Sequence, residues 1–134
     1  MSRLIEICRR LPTVEEHARL FERVGWSWYG EEATRRALAG SSFGAVAMRG
    51  DEIVGMGRVV GDGSVFFYLQ DIVVDPDVQR LGVGSSLVRA LLARARELKV
   101  ATSFCGVFAT PMAVDLYERH GFRSPDLTAL VSLD

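Results

Sequence analysis

The sequence has few of the residues that build metal sites or disulfide frameworks. Among its 134 residues are two cysteines, Cys8 and Cys105, and two histidines, His17 and His120. Two cysteines make no disulfide framework, and neither pair shows the spacing of metal ligands. We therefore expect neither a structural disulfide nor a bound metal.

The chain also lacks a long apolar run and an excess of charge of one sign. No stretch approaches the roughly 20 apolar residues that a membrane span needs, and residues 1–6 lack the apolar core of a signal peptide. The formal net charge is −1, which predicts no nucleic-acid or membrane partner. The length, with no linker or repeat, predicts one domain (residues 1–134), and we expect it in the cytoplasm.

The hydrophobic pattern is typical of a mixed sheet flanked by helices. Strands are predicted at residues 4–8, 43–48, 53–60, 65–74, 100–109 and 127–133, and helices at 14–23, 31–39, from the turn at 79–86 to about 99, and at 111–120. Short connections favour an antiparallel meander for the three central strands, and an intervening helix makes the strand at 100–109 parallel to the one at 65–74. The predicted class is α/β (α+β), in the order β-α-α-β-β-β-α-β-α-β.

A glycine-rich turn, Gln79-Arg80-Leu81-Gly82-Val83-Gly84-Ser85-Ser86, joins the long strand to the clearest amphipathic helix. Such a turn exposes backbone N–H groups at the positive end of the helix dipole, which predicts an anion site that suits a phosphate. A P-loop would need a lysine here, and Leu87 holds the place of the third glycine in a dinucleotide fingerprint. A strand-to-helix turn without a ligand is the alternative.

The remaining pattern, Q-x-x-G-x-G, is filled by Gln79, Gly82 and Gly84. Residues 69–84 closely resemble the acyl-CoA-binding motif of the GNAT superfamily of N-acyltransferases. Residues 110–122 resemble the later N-x-x-A-x-x-x-Y-x-x-x-G-F segment of that family, with Thr110 where many relatives carry asparagine. The element order matches too, so the resemblance covers nearly the whole chain and implies a GNAT-like fold.

The resemblance implies acetyl-CoA as the co-substrate, with no metal. Its pyrophosphate would lie against N–H groups from about Arg80 to Ser85, where glycine avoids Cβ clashes. Its pantetheine would pair with the backbone at the end of the long strand, which a β-bulge splays from the next strand near Val107. The implied donor-site residues are Ile72, Val73, Val74, Gln79, Arg80, Leu81, Gly82, Val83, Gly84, Ser85, Thr110 and Ala113.

Two residues are the main candidates for proton transfer. Tyr117 matches the family's tyrosine on the last helix and would protonate the departing thiolate; otherwise it is a core tyrosine. Asp71 interrupts an apolar run, where a carboxylate is costly unless paired or functional. It would act as general base, directly or through a water, or equally as a structural hydrogen-bond acceptor. Cys105 is more typical of a core residue than of an acyl-enzyme nucleophile, and His120 is a second proton-transfer candidate.

The acceptor site is read from the resemblance, in which the first two helices and their connection wall it. Trp26, Trp28, Tyr29 and Phe43 would line it and suit an arylalkyl or cationic amine, or they pack the helices onto the sheet. We expect an N-acetyltransferase that acts on a small primary amine by direct attack. The alternatives are a non-catalytic acyl-CoA-binding sensor and a protein-lysine or N-terminal acetyltransferase. A homodimer formed through the last strand is also expected.

Overall fold

The computed structural model describes residues 4–134. Residues 1–3, which belong to the segment 1–6 without a signal-peptide pattern, lie outside the described residues. Within 4–134, five strands form one sheet in the order β1-β2-β3-β4-β5. The strands are β1 (Ile5–Cys8), β2 (Phe43–Arg49), β3 (Glu52–Gly61), β4 (Phe66–Val74) and β5 (Phe104–Val107). The helices are α1 (Val14–Val24), α2 (Glu31–Ala39), α3 (Val83–Leu98) and α4 (Val114–Glu118).

The sheet is antiparallel from β1 to β4, and β5 runs parallel to β4. This topology confirms the expected mixed, mostly antiparallel α/β architecture. The α3 helix packs on one face of the sheet, and α1 packs on the other. Two buried clusters follow from this layering, one between α3 and the sheet around Phe67 and Leu87, the other beneath α1 around Leu20 and Phe21.

Glycines in β3 allow α3 to lie close to the sheet. A Cβ atom on Gly57 would stand 2.5 Å from Ile72 Cδ1 and 3.0 Å from Leu91 Cδ1. One on Gly55 would stand 3.0 Å from Leu87 Cδ1. Contacts this short would push the helix away, so these two glycines determine how closely α3 approaches β3.

Helix boundaries follow the local sequence signals. Thr13 and Glu16 form the expected capping box at the start of α1, with the Glu16 N–H donating to Thr13 Oγ1 at 3.1 Å. The helix ends at Gly25, whose φ of 75° is a left-handed conformation that costs glycine little. The α2 helix has the expected bounds. The connection between α1 and α2 therefore starts at a sharp turn and carries the aromatic residues 26, 28 and 29.

Two expectations for the C-terminal part are wrong. The last helix is split into a 3-10 turn (Pro111–Ala113) and the five-residue α4, instead of one helix over 111–120. Residues 127–133 form no strand, and Leu127, Leu130, Val131 and Leu133 are 74–94% exposed. An apolar segment becomes a strand only by pairing with another, and within residues 4–134 this one pairs with none. The homodimer expected through this segment stays a prediction.

The strand expected at residues 100–109 is also shorter, since only Phe104–Val107 pairs with β4. A turn at residues 101–102 and Ser103 precede this strand, and the chain leaves the sheet after Val107. In the described part of the chain, no helix has the length and apolar character that a membrane crossing requires.

Candidate active site

A β-bulge in β4 determines which face of the sheet the carboxylate of Asp71, the one carboxylate of that strand, points to. Gln70 pairs with Arg58 and Val73 pairs with Met56, so two residues of β4 face one residue of β3. Asp71 has a φ of 54°, in the left-handed region. Regular alternation would put Asp71 on the α3 face with Phe67 and Leu69. The bulge instead turns its side chain toward α1 and the α1–α2 connection, and it returns Ile72 to the α3 face.

The Asp71 carboxylate accepts three hydrogen bonds. Its Oδ2 accepts from His17 Nε2 at 3.0 Å and from Arg58 Nε at 2.7 Å. Its Oδ1 accepts from the Tyr29 hydroxyl at 2.8 Å. The side chains of His17 and Asp71 are 1% and 6% exposed, so the three bonds replace the water that burial removes.

Burial by itself would raise the pKa of Asp71, but the bonds from His17, Arg58 and Tyr29 outweigh it and lower the pKa to about 2. A carboxylate with so low a pKa is a weak base, and both of its oxygens already have donors. This geometry supports the structural alternative for Asp71 over the general-base role.

Two members of this cluster, His17 and Arg58, are absent from the sequence-based candidates. His17 occupies the apolar side of α1, three residues after Val14 and four before Phe21. Arg58 interrupts the apolar strand β3 in the way that Asp71 interrupts β4. The sequence signals for this cluster were a histidine on the apolar side of a helix and two opposite charges in adjacent apolar strands. The sequence did not show that these residues contact one another, because that depends on the strand register.

The aromatic residues of the α1–α2 connection lie on the same side of the sheet as Asp71. Trp26 and Tyr29 are 48% exposed, and their rings contact Phe21 with centroids at 5.5 and 5.2 Å. The Trp28 indole N–H donates to His17 Nδ1 at 3.1 Å. Burial and the Asp71 carboxylate raise the pKa of Tyr29, so its hydroxyl keeps the proton that it donates.

Phe43 is not brought to this group. It lies on the α3 face, with its ring centroid 6.3 Å from that of Phe67. There it borders a separate cavity of about 390 Å³, whose other lining residues are Arg9, Arg10, Leu11, Gly44, Ala90 and Arg94. The sheet therefore stands between Phe43 and the other predicted acceptor residues.

The glycine turn has the backbone of an anion site. Arg80 and Gly82 adopt left-handed conformations, with φ of 69° and 80°. Gly82 is the N-cap of α3, and none of the described side chains caps this helix. The first helical bond runs from the Ser86 N–H to the Gly82 carbonyl, so the preceding N–H groups of Val83, Gly84 and Ser85 have no intrahelical acceptor. This turn fits a phosphate group.

Two side chains hold the turn to its surroundings. The Gln79 amide donates to the Val74 carbonyl at 3.3 Å, which closes the turn on the strand that precedes it. Ser85 Oγ lies 2.6 Å from His120 Nε2, which ties the start of α3 to the end of α4. Burial and the arginines at 89 and 119 lower the pKa of His120.

The end of β4 offers unpaired backbone. Pairing with β5 ends at Leu69 and Val107, so in the described structure residues 70–74 have no partner on the β5 side. Ile72, Val73 and Val74, the residues expected beside pantetheine, lie in this stretch. The Val74 carbonyl already accepts from the Gln79 amide, and the other backbone groups of this stretch that point away from β3 could pair with an extended chain of amides as an added strand does.

The residues from the later motif lie beyond β5. Tyr117 on α4 is 7% exposed and contacts Phe122 with ring centroids at 5.7 Å. Burial raises its pKa, and its hydroxyl has no hydrogen-bond partner among residues 4–134. Thr110 precedes the 3-10 turn and accepts the Ala113 N–H through its carbonyl at 2.9 Å. The Tyr117 phenol is thus protonated at neutral pH and makes no hydrogen bond to the described residues.

Other reactive groups have surroundings that do not favour catalysis. Burial raises the pKa of the Cys105 thiol, which disfavours the thiolate that an acyl-enzyme would need. Across the described range, no group of three or more His, Cys, Asp or Glu side chains could hold a metal ion.

Comparison with known proteins decides the family. The family model of the acetyltransferase (GNAT) domain matches residues 15–128. The chain belongs to the GNAT acetyltransferase family. Membership implies acetyl-CoA as the co-substrate, which agrees with the unpaired end of β4 and the open turn that follows it.

Relatives of this GNAT domain are distant in sequence and close in fold. An uncharacterized N-acetyltransferase (ycf52) of Pyropia yezoensis is 28% identical over 116 residues, which cover 83% of this chain and 66% of the relative. The chloroplastic serotonin N-acetyltransferase 2 of Oryza sativa subsp. japonica is 32% identical over 112 residues, which cover 80% of this chain and 55% of the relative. The chain thus spans less than two thirds of the length of these relatives.

A crystal structure of a probable acetyltransferase from meticillin-resistant Staphylococcus aureus matches with a TM-score of 0.88. The two are 27% identical, and the match covers 96% of this chain and 98% of the other. The GNAT fold expected from the sequence is therefore confirmed.

Proposed function

We propose that this GNAT domain transfers the acetyl group of acetyl-CoA to the primary amine of a small molecule. The observation that carries the proposal is the continuity between the unpaired stretch of β4 and the uncapped start of α3. Pantetheine pairs with Ile72 to Val74, and the pyrophosphate binds the N–H groups from Arg80 to Ser85. This places the thioester near the bulge at Asp71.

The transfer proceeds by direct attack. The neutral amine nitrogen bonds to the thioester carbonyl carbon and forms a tetrahedral intermediate. Its collapse breaks the C–S bond, the nitrogen loses a proton to solvent, and the sulfur receives a proton from Tyr117, which regains it from solvent. The raised pKa of Tyr117 keeps the phenol protonated at neutral pH.

The acceptor site lies on the face of the sheet that carries Asp71. Trp26 and Tyr29 are half exposed there, and flat aromatic surfaces suit an arylalkyl amine. The similarity to a rice protein named serotonin N-acetyltransferase supports the same class. We therefore rank arylalkyl amines first among acceptors, ahead of peptide lysines or N-termini.

The test is release of free thiol from acetyl-CoA in the presence of an amine panel. The panel contains arylalkyl amines, aliphatic diamines, amino sugars and a lysine peptide, and coenzyme A binding is measured in parallel by calorimetry. We expect amine-dependent thiol release, fastest with an arylalkyl amine. Binding of coenzyme A without release from any amine would favour a sensor, and absence of both would overturn the proposal.

The donor site has a separate test in Gly84→Ala. A Cβ there would meet only Leu116 Cδ2 at 3.5 Å and Val74 Cγ2 at 3.6 Å, which are ordinary contacts, and alanine favours a helix. Unfolding stability should therefore be unchanged or slightly higher. If the pyrophosphate lies against this backbone, we expect coenzyme A affinity to fall about tenfold, which is about 1.4 kcal/mol.

The matched control for Gly84→Ala is Ala90→Gly on the same helix, which should lower stability and leave coenzyme A affinity alone. Calorimetric titration and urea unfolding provide the two readouts. Equal coenzyme A affinity in Gly84→Ala and the wild type would place the pyrophosphate elsewhere.

A further inference from the structure

We propose that His17 is a positioning residue for acetyl transfer: a neutral imidazole, protonated on Nε2. It ties the α1–α2 connection with Trp28 and Tyr29, here called the acceptor wall, to the bulge of β4, here called the donor strand. The inference rests on the proposed function for its catalytic meaning. It is carried by a chain of hydrogen bonds that runs from Trp28 through the buried His17 to Asp71.

The donors fix where the proton on His17 resides. The indole N–H of Trp28 can only donate, so the His17 Nδ1 at 3.1 Å must accept. The carboxylate of Asp71 can only accept, so the His17 Nε2 at 3.0 Å must donate. One nitrogen accepts and the other donates, which describes a single tautomer of the neutral ring.

The surroundings of His17 also favour a neutral ring. The side chain is 1% exposed and stacks on Phe21, with centroids 4.5 Å apart and planes inclined by 22°. The charged and titratable groups that face it are Asp71, Arg58 and Tyr29. Since the Arg58 guanidinium already balances the Asp71 carboxylate at 2.7 Å, a second buried cation would lack a counter-ion.

The chain of bonds joins elements that are distant in sequence. Trp28 and Tyr29 belong to the α1–α2 connection, His17 to α1, and Asp71 to the bulge of β4. Asp71 needs such support, because its left-handed conformation is unfavourable for a residue with a Cβ atom. Arg58 holds Asp71 from β3 independently of α1. Loss of the His17 link should therefore move the acceptor wall more than the donor strand.

The least disruptive test is Trp28→Phe, which keeps a ring in the loop and removes the N–H. With two histidines in the chain, 15N spectra of histidine-labelled protein resolve His17 directly, and His120→Gln assigns the second signal. We expect the wild type to show Nε2–H alone at His17 and Trp28→Phe to show a mixture of tautomers. Trp26→Phe is the control for this signal, because Trp26 makes no hydrogen bond to His17.

We expect these variants to change the KM for the amine but not the affinity for coenzyme A. Trp28→Phe removes the donor to His17, and His17→Asn keeps an acceptor toward Trp28 but loses the donor toward Asp71. In both variants the amine KM should rise about tenfold. Coenzyme A affinity should stay within about twofold of the wild type. His17→Gln keeps a donor toward Asp71 and should recover part of the loss.

Each outcome bears on the proposal. A wild-type His17 protonated on Nδ1, or a Trp28→Phe protein with unchanged tautomer and unchanged amine KM, overturns it. A domain that binds coenzyme A but acetylates no amine overturns the proposed function instead. In that case the link is judged by the His17 tautomer alone, which must change from the wild type to Trp28→Phe.

Discussion

Tyr117→Phe is expected to lower kcat about 100-fold to 10,000-fold, the range over which a positioned proton donor contributes to catalysis. The phenol matches the tyrosine of the later family motif and keeps its proton at neutral pH, since burial raises its pKa. Without it the sulfur leaves as an unprotonated thiolate. Acetyl-CoA affinity should be unchanged, because the removed oxygen acts only on the leaving group.

The stability of this variant should match the wild type, which makes the kinetic result easy to interpret. The Tyr117 hydroxyl makes no hydrogen bond within the described residues, and the ring keeps its contact with Phe122. Tyr68→Phe is the matched control: its ring stacks on Phe66 on β4, and it should leave kcat unaltered. A Tyr117→Phe protein with normal turnover would remove Tyr117 from the mechanism.

The α1 helix is fixed to β4 and the residue after it at two points, and in the proposed function this double anchoring aligns the acceptor wall with the thioester. His17 bonds to Asp71 at the bulge. Two turns later on the same helix, Arg23 forms a bidentate pair with Asp75, at 2.9 and 3.0 Å, just beyond the strand. Asp75 is 2% exposed and also accepts the Asp77 N–H, so the path into the glycine turn is held firmly.

Local sequence signals predicted the elements whose formation depends on nearby residues. The capping box at Thr13, the helix 31–39 and the turn at Gly82 depend on residues within a few positions of one another. The segment 127–133 shows the opposite case. Its apolar residues have strand propensity, but a strand needs a partner edge, which a sequence does not reveal.

The candidate site, too, could be predicted only where it depends on residues that are near one another in the sequence. Glycines and the motif spacing located the turn and Tyr117 without tertiary information. The resemblance implied a β-bulge in this strand, but its position at Asp71 could not be predicted, because aspartate rarely adopts a left-handed conformation and only the register with Arg58 and Met56 shows it. The register decides which face the carboxylate uses, and so it decides that Asp71 meets three donors.

Asp71→Asn is expected to destabilise the domain by about 3–5 kcal/mol at neutral pH, because it leaves the Arg58 guanidinium buried without its counter-ion. The wild-type carboxyl has a folded pKa of about 2 against an ordinary value of 3.8. Its ionisation therefore contributes stability that is complete above pH 3.8 and is lost as the pH falls through about 2. That contribution is about 2 kcal/mol, at 1.36 kcal/mol for each unit of pKa.

Urea unfolding of both proteins from pH 7 to pH 2 measures this difference. The gap between wild type and Asp71→Asn should be constant down to about pH 4 and then narrow by about 2 kcal/mol as the pH falls to 2. Asp51→Asn, at an exposed turn between β2 and β3, should track the wild type throughout. A gap that does not depend on pH would mean that the Asp71 carboxyl is not held ionised by its three donors.

Activity of the same variant separates the two roles that the sequence left open for Asp71. A general base must gain and lose its proton within the working pH range, whereas a carboxyl with a pKa of about 2 stays ionised across it. We therefore expect the acidic limb of the pH–rate profile to persist in Asp71→Asn, at a reduced plateau and with a raised amine KM. Loss of that limb would restore Asp71 as the base, and it would require the bonds from His17, Arg58 and Tyr29 to weaken when the amine binds.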